Sequence, residues 1–345
     1  MTTRVGLTLS RRAFLRLSLL AAIAAGVGVI YRSTERTGFY HWFLWTMRGN
    51  LTRLFGPQAQ VGLAACSGYE QDVLASLREA WQAAGAPDLS GKRVVLKPNL
   101  VDVLGDLPSY THPNLVEAAV QLARDMGAQQ VIVADGPAFR RDARAILNAT
   151  GYTEMLTRNQ VDFVDLNYDD VVSVPLRGSY VSAQAILLPK TVAAADWLIS
   201  LPKLKTHHWT LISGSAKNLF GIVPGIKYGW PKNSLHIQGI PLSIAALLDS
   251  IPTRVCAIVD GIVGMEGDGP LFGNAVPTGW IGVGTDLLAV DATCARLMGF
   301  DPRRVDYLNF GALAGLGQID ENKVKVAGES MTQLRREFAR PPIAG

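Results

Sequence analysis

Arg93-Val94-Val95-Leu96-Lys97-Pro98-Asn99, Thr111-His112-Pro113-Asn114 and Gln130-Val131-Ile132-Val133-Ala134-Asp135 decide the fold when read together. Two short apolar runs rich in β-branched residues flank an amphipathic stretch at 114–126, the pattern of a strand, a crossover helix and a parallel strand. Thr111 or Asn114 is the expected N-cap, and Pro113 suits the first helical turn. The same alternation continues along the chain. Residues 93–97, 130–135, 161–166, 197–201, 255–260 and 280–283 read as strands, and helices are expected near 70–85, 114–126, 141–149, 242–250, 286–298 and 303–313. The predicted class is α/β, with a mixed or mostly parallel sheet, crossover helices on both faces and a Gly-rich loop insertion. One such domain is expected over 59–330, with scope for two lobes dividing near 200, followed by a C-terminal tail at 331–345.

Open α/β sheets collect ligands at the carboxyl ends of their strands. Those ends are Lys97-Pro98-Asn99, Asp135-Gly136-Pro137, Pro202-Lys203-Leu204-Lys205 and Asp260-Gly261. Between 205 and 242 the periodicity fades into a stretch rich in glycine and proline, and a long irregular segment inside a compact domain is usually functional. This segment follows a strand and holds His207, His208 and His236 together with Lys205 and Lys217.

These residue types suggest their chemistry. Lys97, Asn99, Lys203, Lys205 and Asn218 suit a carboxylate or phosphate. Lys217, set among Gly, Ser and Asn before an apolar Leu-Phe, can bind an anion or act as a nucleophile once burial lowers its pKa. His236 is a further candidate for the reacting centre. His207 and His208 offer imidazole to a metal, although neighbours on an extended chain point to opposite sides. Asp260 and Glu266 stand on a Gly-rich acidic loop able to hold a hard cation or supply a base, whereas Asp286 opens a predicted helix and reads as its cap.

The first 58 residues differ in kind. Ser10-Arg11-Arg12-Ala13-Phe14-Leu15-Arg16 precedes an apolar run at 17–31, with no acidic residue before Glu35. This reads as a twin-arginine export signal or signal anchor over 1–35, which makes the twin-arginine translocase an expected partner. Small residues fit for cleavage lie inside the apolar run rather than after it, so an uncleaved membrane anchor is a second expectation. Phe39, Tyr40, Trp42, Phe43 and Trp45 form an aromatic arm at 36–58, suited either to a membrane interface or to packing on the domain. The expected location is the periplasm or the outer face of the cytoplasmic membrane.

Residues 1–16 hold four arginines and no acid, which accounts for the whole formal charge of +4. The rest of the chain is balanced, so nucleic acid is not an expected partner. Three scattered cysteines, Cys66, Cys256 and Cys294, exclude a disulfide framework or a cysteine-held cluster. No Gly-rich dinucleotide fingerprint, Walker loop or nucleophile elbow is present.

Leu96-Lys97-Pro98-Asn99, Thr111-His112-Pro113, Leu201-Pro202-Lys203, Lys205-Thr206-His207, Ala216-Lys217-Asn218-Leu219-Phe220-Gly221, His236, Asp260-Gly261-Ile262, Glu266-Gly267, Gly269-Pro270, Asp286 and Asp291 occur in that order. The ordered set resembles the family called domain of unknown function 362, over roughly residues 60 to 325. Many members of that family look like iron–sulfur proteins through a cysteine-rich segment, which this chain lacks; the resemblance brings the domain without the cluster. A second similarity links Ser213-Gly214-Ser215-Ala216-Lys217 and Val223-Pro224-Gly225 to the nickel-pincer lactate racemase family. It implies Lys217 as the attachment point of a covalent cofactor and His236 as a metal ligand, with Ala216 standing where that family has arginine. The expected function is an exported enzyme for a small anionic substrate, with a divalent metal or cofactor between Lys203 and His236. The alternative is a non-catalytic envelope protein that binds a metal or small-molecule ligand.

Overall fold

The computed structural model describes residues 38–342, apart from positions 104, 106, 139–140, 179 and 230–232. The twin-arginine motif and the apolar run at 17–31 lie outside the described residues. The strands, in chain order, are β1 (Ala59–Ala65), β2 (Arg93–Lys97), β3 (Gln130–Asp135), β4 (Asp162–Asp165), β5 (Val171–Pro175), β6 (Ala185–Pro189), β7 (Trp197–Ser200), β8 (Lys203–His207), β9 (Leu211–Ser213), β10 (Arg254–Glu266), β11 (Asn274–Gly284) and β12 (Val324–Gly328).

The main sheet runs β12-β1-β11-β10-β7-β2-β3-β4, and β5 pairs with β6 in a separate hairpin. Only the two pairings made by β11 are antiparallel along this path. The chain is thus α/β, with the mostly parallel sheet that its alternating pattern predicts.

Strand pleating explains why the central strands read as continuous apolar runs. Val94 and Leu96 pack on one side of the sheet while Val95 packs on the other; Trp197 and Ile199 oppose Leu198, and Cys256 and Ile258 oppose Ala257 and Val259. Helices Val73–Ala84, Pro113–Asp125 and Tyr152–Asn159 cover the first side. Helices Ile240–Ser250, Leu287–Leu297 and Asp306–Leu313 cover the second.

Two local readings are corrected. The helix Pro113–Asp125 is capped by the His112 imidazole, which accepts from Asn114 N at 3.2 Å, rather than by Thr111 or Asn114. Thr111 is buried and donates instead to the Leu201 carbonyl. The stretch from 205 to 242 is also more regular than its composition suggests: β8 and β9 form a hairpin, and short helical turns follow at Ser215–Asn218, Leu219–Ile222 and Gly225–Tyr228. Each turn is too short to show a 3.6-residue apolar period.

Among the described residues no helix is long and apolar enough to cross a membrane. The aromatic arm forms a helix over Gly38–Phe55. Trp45 stacks on Tyr180 with ring centroids 4.9 Å apart and meets Phe310 edge-on at 5.7 Å, and Arg48 pairs with Asp249 at 2.9 Å. After residue 330, Leu334 and Phe338 are buried in the main core.

Candidate functional site

The site grows out of one strand break. β7 ends at Ser200, and Leu201-Pro202 interrupts it before the chain resumes as β8 beside the outer half of the long β10. Pro202 lacks the N–H that would continue the ladder, and its carbonyl accepts from Asp260 N. Register then sets Lys203 directly across from Asp260. Lys203 Nζ lies 3.1 Å from Asp260 Oδ2 and donates to Tyr69 Oη at 2.6 Å.

A parallel arrangement holds at the neighbouring strand ends. Lys97, across from Ser200 at the end of β2, pairs with Asp135 at 2.6 Å, both side chains being almost wholly buried. Lys97 Nζ also donates to Asn218 Oδ1 at 3.0 Å, and Asn218 Nδ2 donates to the Lys97 carbonyl and to Ser200 Oγ. Gly221 packs closely on this pair, since a Cβ there would stand 2.5 Å from Lys97 Nζ and 2.8 Å from Asp135 Oδ1.

The turn Ser215–Asn218 is held by Asp291, which accepts from Ser215 N, Ser215 Oγ, Ala216 N and Tyr307 Oη at 2.6–3.0 Å. Burial raises the Asp291 pKa to about 6 against these donors. Gly214 leaves room for that carboxylate, which any Cβ at this position would strike. The turn carries Lys217 on the wall of a cavity of about 420 Å³ at the strand ends, in the size range of small-molecule sites.

Lys97, Lys203, Lys205 and Lys217 all line this cavity, with Asn99, Asn218, His207, His208 and His236. Among the described residues, two of these lysines have carboxylate partners and two do not. Lys205 is buried and donates to the Ser109 carbonyl at 2.6 Å, and burial, then the charges of Lys217 and Lys203, push its pKa well down. The Lys217 amine has no hydrogen-bond acceptor among the described residues; desolvation, then Lys97, lowers its pKa to about 8. The cavity carboxylates are engaged, Asp135 with Lys97 and Asp102 with Arg141 at 2.8 Å. Among the described residues the cavity lining therefore holds more lysines than carboxylates to pair with them.

The three imidazoles of the cavity differ in their surroundings. Burial, then nearby cations, holds the His207 pKa far below its ordinary range, so the ring is neutral; its Nδ1 accepts from Trp209 N, which leaves the proton on Nε2. His208 Nδ1 donates to the Gly269 carbonyl at 3.0 Å. His236 packs edge-on against Trp209 and Phe220.

Two acidic candidates stand apart from this cavity wall. Asp260 is buried, accepting from Tyr69 Oη, His112 N and Lys203 Nζ. Glu266 accepts from Ala339 N at 2.7 Å. His207, His208 and Asp260 do not converge as metal ligands; among the described residues no three His, Cys, Asp or Glu side chains gather to hold a metal ion. Asp135, Gly221 and Asp291, which sequence reading placed at a strand end or in the ordered family set without giving them a role, position the site: Asp135 pairs with Lys97, Gly221 packs on that pair and Asp291 holds the Lys217 turn.

The model of the family described as Domain of unknown function (DUF362) matches residues 94–296, which include the four cavity lysines and Asp291. The chain belongs to the DUF362 family. It is 30% identical over 261 residues to a thylakoid-associated protein of Synechocystis, an alignment covering 71% of this chain and 76% of that one. Among solved structures it is similar to the lactate racemase apoprotein from Thermoanaerobacterium thermosaccharolyticum, at 14% identity and a TM-score of 0.41. That match covers 72% of this chain and 58% of the racemase chain.

Proposed function

We propose that this DUF362 chain is an enzyme of the cell envelope that binds a small organic anion at the strand ends and acts on it through Lys217. The observation that carries this reading is the presence in one cavity of two lysines, Lys205 and Lys217, that have no carboxylate partner among the described residues. A bound carboxylate or phosphate would relieve the mutual repulsion of these cations, so the protein's own electrostatics favour an anion before any specific contact is made. Near neutral pH a minor fraction of Lys217 is uncharged, and that fraction can attack a carbonyl or remove a proton.

The same charges oppose a bare divalent cation, which would enter among four lysines without a free carboxylate. A metal would fit as part of an anionic cofactor. Lys217 could carry such a group and His236 could ligate its metal, both facing the cavity, although Ala216 offers no arginine beside them. When bound, the group would supply the redox or hydride chemistry that these side chains lack.

Twin-arginine export and attachment to the membrane's outer face belong to this reading, supported by Ser10-Arg11-Arg12 and the apolar run after it, and by the thylakoid association named for the Synechocystis relative. A second reading, binding without turnover, is favoured by the engagement of both cavity carboxylates. Native mass of protein purified from its own host tests the proposal. The expected result is a surplus mass from an anionic small molecule, either lost on denaturation or retained on Lys217. No surplus, with no phosphate or carboxylate binding by calorimetry at millimolar concentration, would overturn it.

A further inference from the structure

The cavity wall combines charged and apolar side chains, Lys205 and Lys217 sharing it with Trp209, Phe220 and Leu271. Large apolar side chains continue outward onto the surface: Trp209 is 55% exposed, Phe272 66% and Ile237 83%. These belong to the segments that line the cavity, since Phe272 follows Leu271, and Ile237 follows His236, whose ring lies 5.8 Å from that of Trp209. Isolated exposed apolar residues are ordinary, but an exposed Trp209 on the cavity wall, with two more exposed apolar residues next in sequence to lining residues, marks a surface that meets something apolar. A bare inorganic anion would use the lysines and leave this wall without a role.

Building on the anion-binding reading above, we propose that the ligand is an amphiphile, with a phosphate or carboxylate head at Lys205 and Lys217 and a hydrocarbon tail leaving over Trp209, Leu271, Phe272 and Ile237. Charge complementarity fixes the head, and the apolar side chains that share the cavity wall with the lysines fix the direction of the tail. Two sources share this chemistry, a membrane lipid and a free amphiphile.

The test is calorimetric binding of monomeric alkyl phosphates, from methyl to decyl, to protein isolated from its host. A fully buried methylene strengthens binding about fourfold. A half-exposed rim should retain about twofold per methylene, or about sixtyfold between butyl and decyl phosphate. Lys205→Met should weaken every chain length by a similar factor, whereas Phe272→Ser with Ile237→Ser should flatten the dependence on length. Affinities within about threefold from methyl to decyl phosphate would overturn the amphiphile and leave the anion site standing; no binding at any length would overturn both. Sedimentation with anionic phospholipid vesicles separates the sources. Weaker sedimentation of the Phe272→Ser, Ile237→Ser variant than of the wild type assigns the tail to a membrane lipid, and equal sedimentation alongside a length dependence in calorimetry assigns it to a free amphiphile.

Discussion

Raising the pH through 8 should turn Lys217 from a charge into a nucleophile. Its ordinary value of 10.5 falls to about 8, first because burial disfavours the cation and then because Lys97 stands nearby. At pH 8 half of the Lys217 amine is then neutral, against about 0.3% of an ordinary lysine. Nucleophilicity falls with basicity, with a slope of about 0.4–0.5 among thiols, and the same slope would leave Lys217 about tenfold more reactive than a surface amine. The sign for stability follows from the lowered value. A charged Lys217 costs the fold about 3 kcal/mol below pH 8, and that cost fades as the pH rises toward 10.5. Pulsed reductive methylation, read by peptide mass spectrometry with exposed Lys190 and Lys325 as references, measures the amine directly. The expected midpoint is near pH 8, moving upward in Lys97→Met. Lys217 labelling in step with the reference lysines, with a midpoint above 10, would refute the reasoning.

Three further outcomes follow from the same geometry. Asp135→Asn leaves Lys97 buried without its carboxylate and should cost about 3–5 kcal/mol in chemical denaturation, with part of the loss recovered when Lys97→Met is added. Asp291→Ala strips the acceptor from Ser215, Ala216 and Tyr307; it should cost about 3 kcal/mol and weaken phosphate binding as the Lys217 turn loosens, both read at pH 7. Arg11→Lys with Arg12→Lys should hold the protein in the cytoplasm in a fractionation assay, and unchanged export would remove the twin-arginine reading.

Much of the fold was legible because the parallel strands are buried on both sides, which makes Arg93–Lys97 and Gln130–Asp135 stand out as apolar runs. β8 escaped notice because its alternate residues are Lys203, Lys205 and His207, polar groups that are buried here by pairing and by the cavity. The outer half of β10 carries glycines and Glu266, which resemble turn residues, and its strand character comes from β8 and β11 on either side. For the site, strand ends pointed to Lys97, Asn99, Lys203 and Lys205, and the Gly-rich segment pointed to Lys217 and Asn218. Composition could not tell which lysines are neutralised, since Lys97–Asp135 and Lys203–Asp260 are contacts across 38 and 57 residues of chain. Nor could it reveal that Glu266 faces the C-terminal backbone or that Asp291 supports the Lys217 turn.

The most direct test of the central claim is a crystal structure grown with selenate, a heavy stand-in for a small oxyanion, with its position read from anomalous scattering. The account predicts a selenium peak inside the cavity within hydrogen-bonding reach of Lys205 and Lys217, lost in the Lys205→Met, Lys217→Met variant. Selenate found only on the outer surface, with that cavity free of anion density, would contradict it.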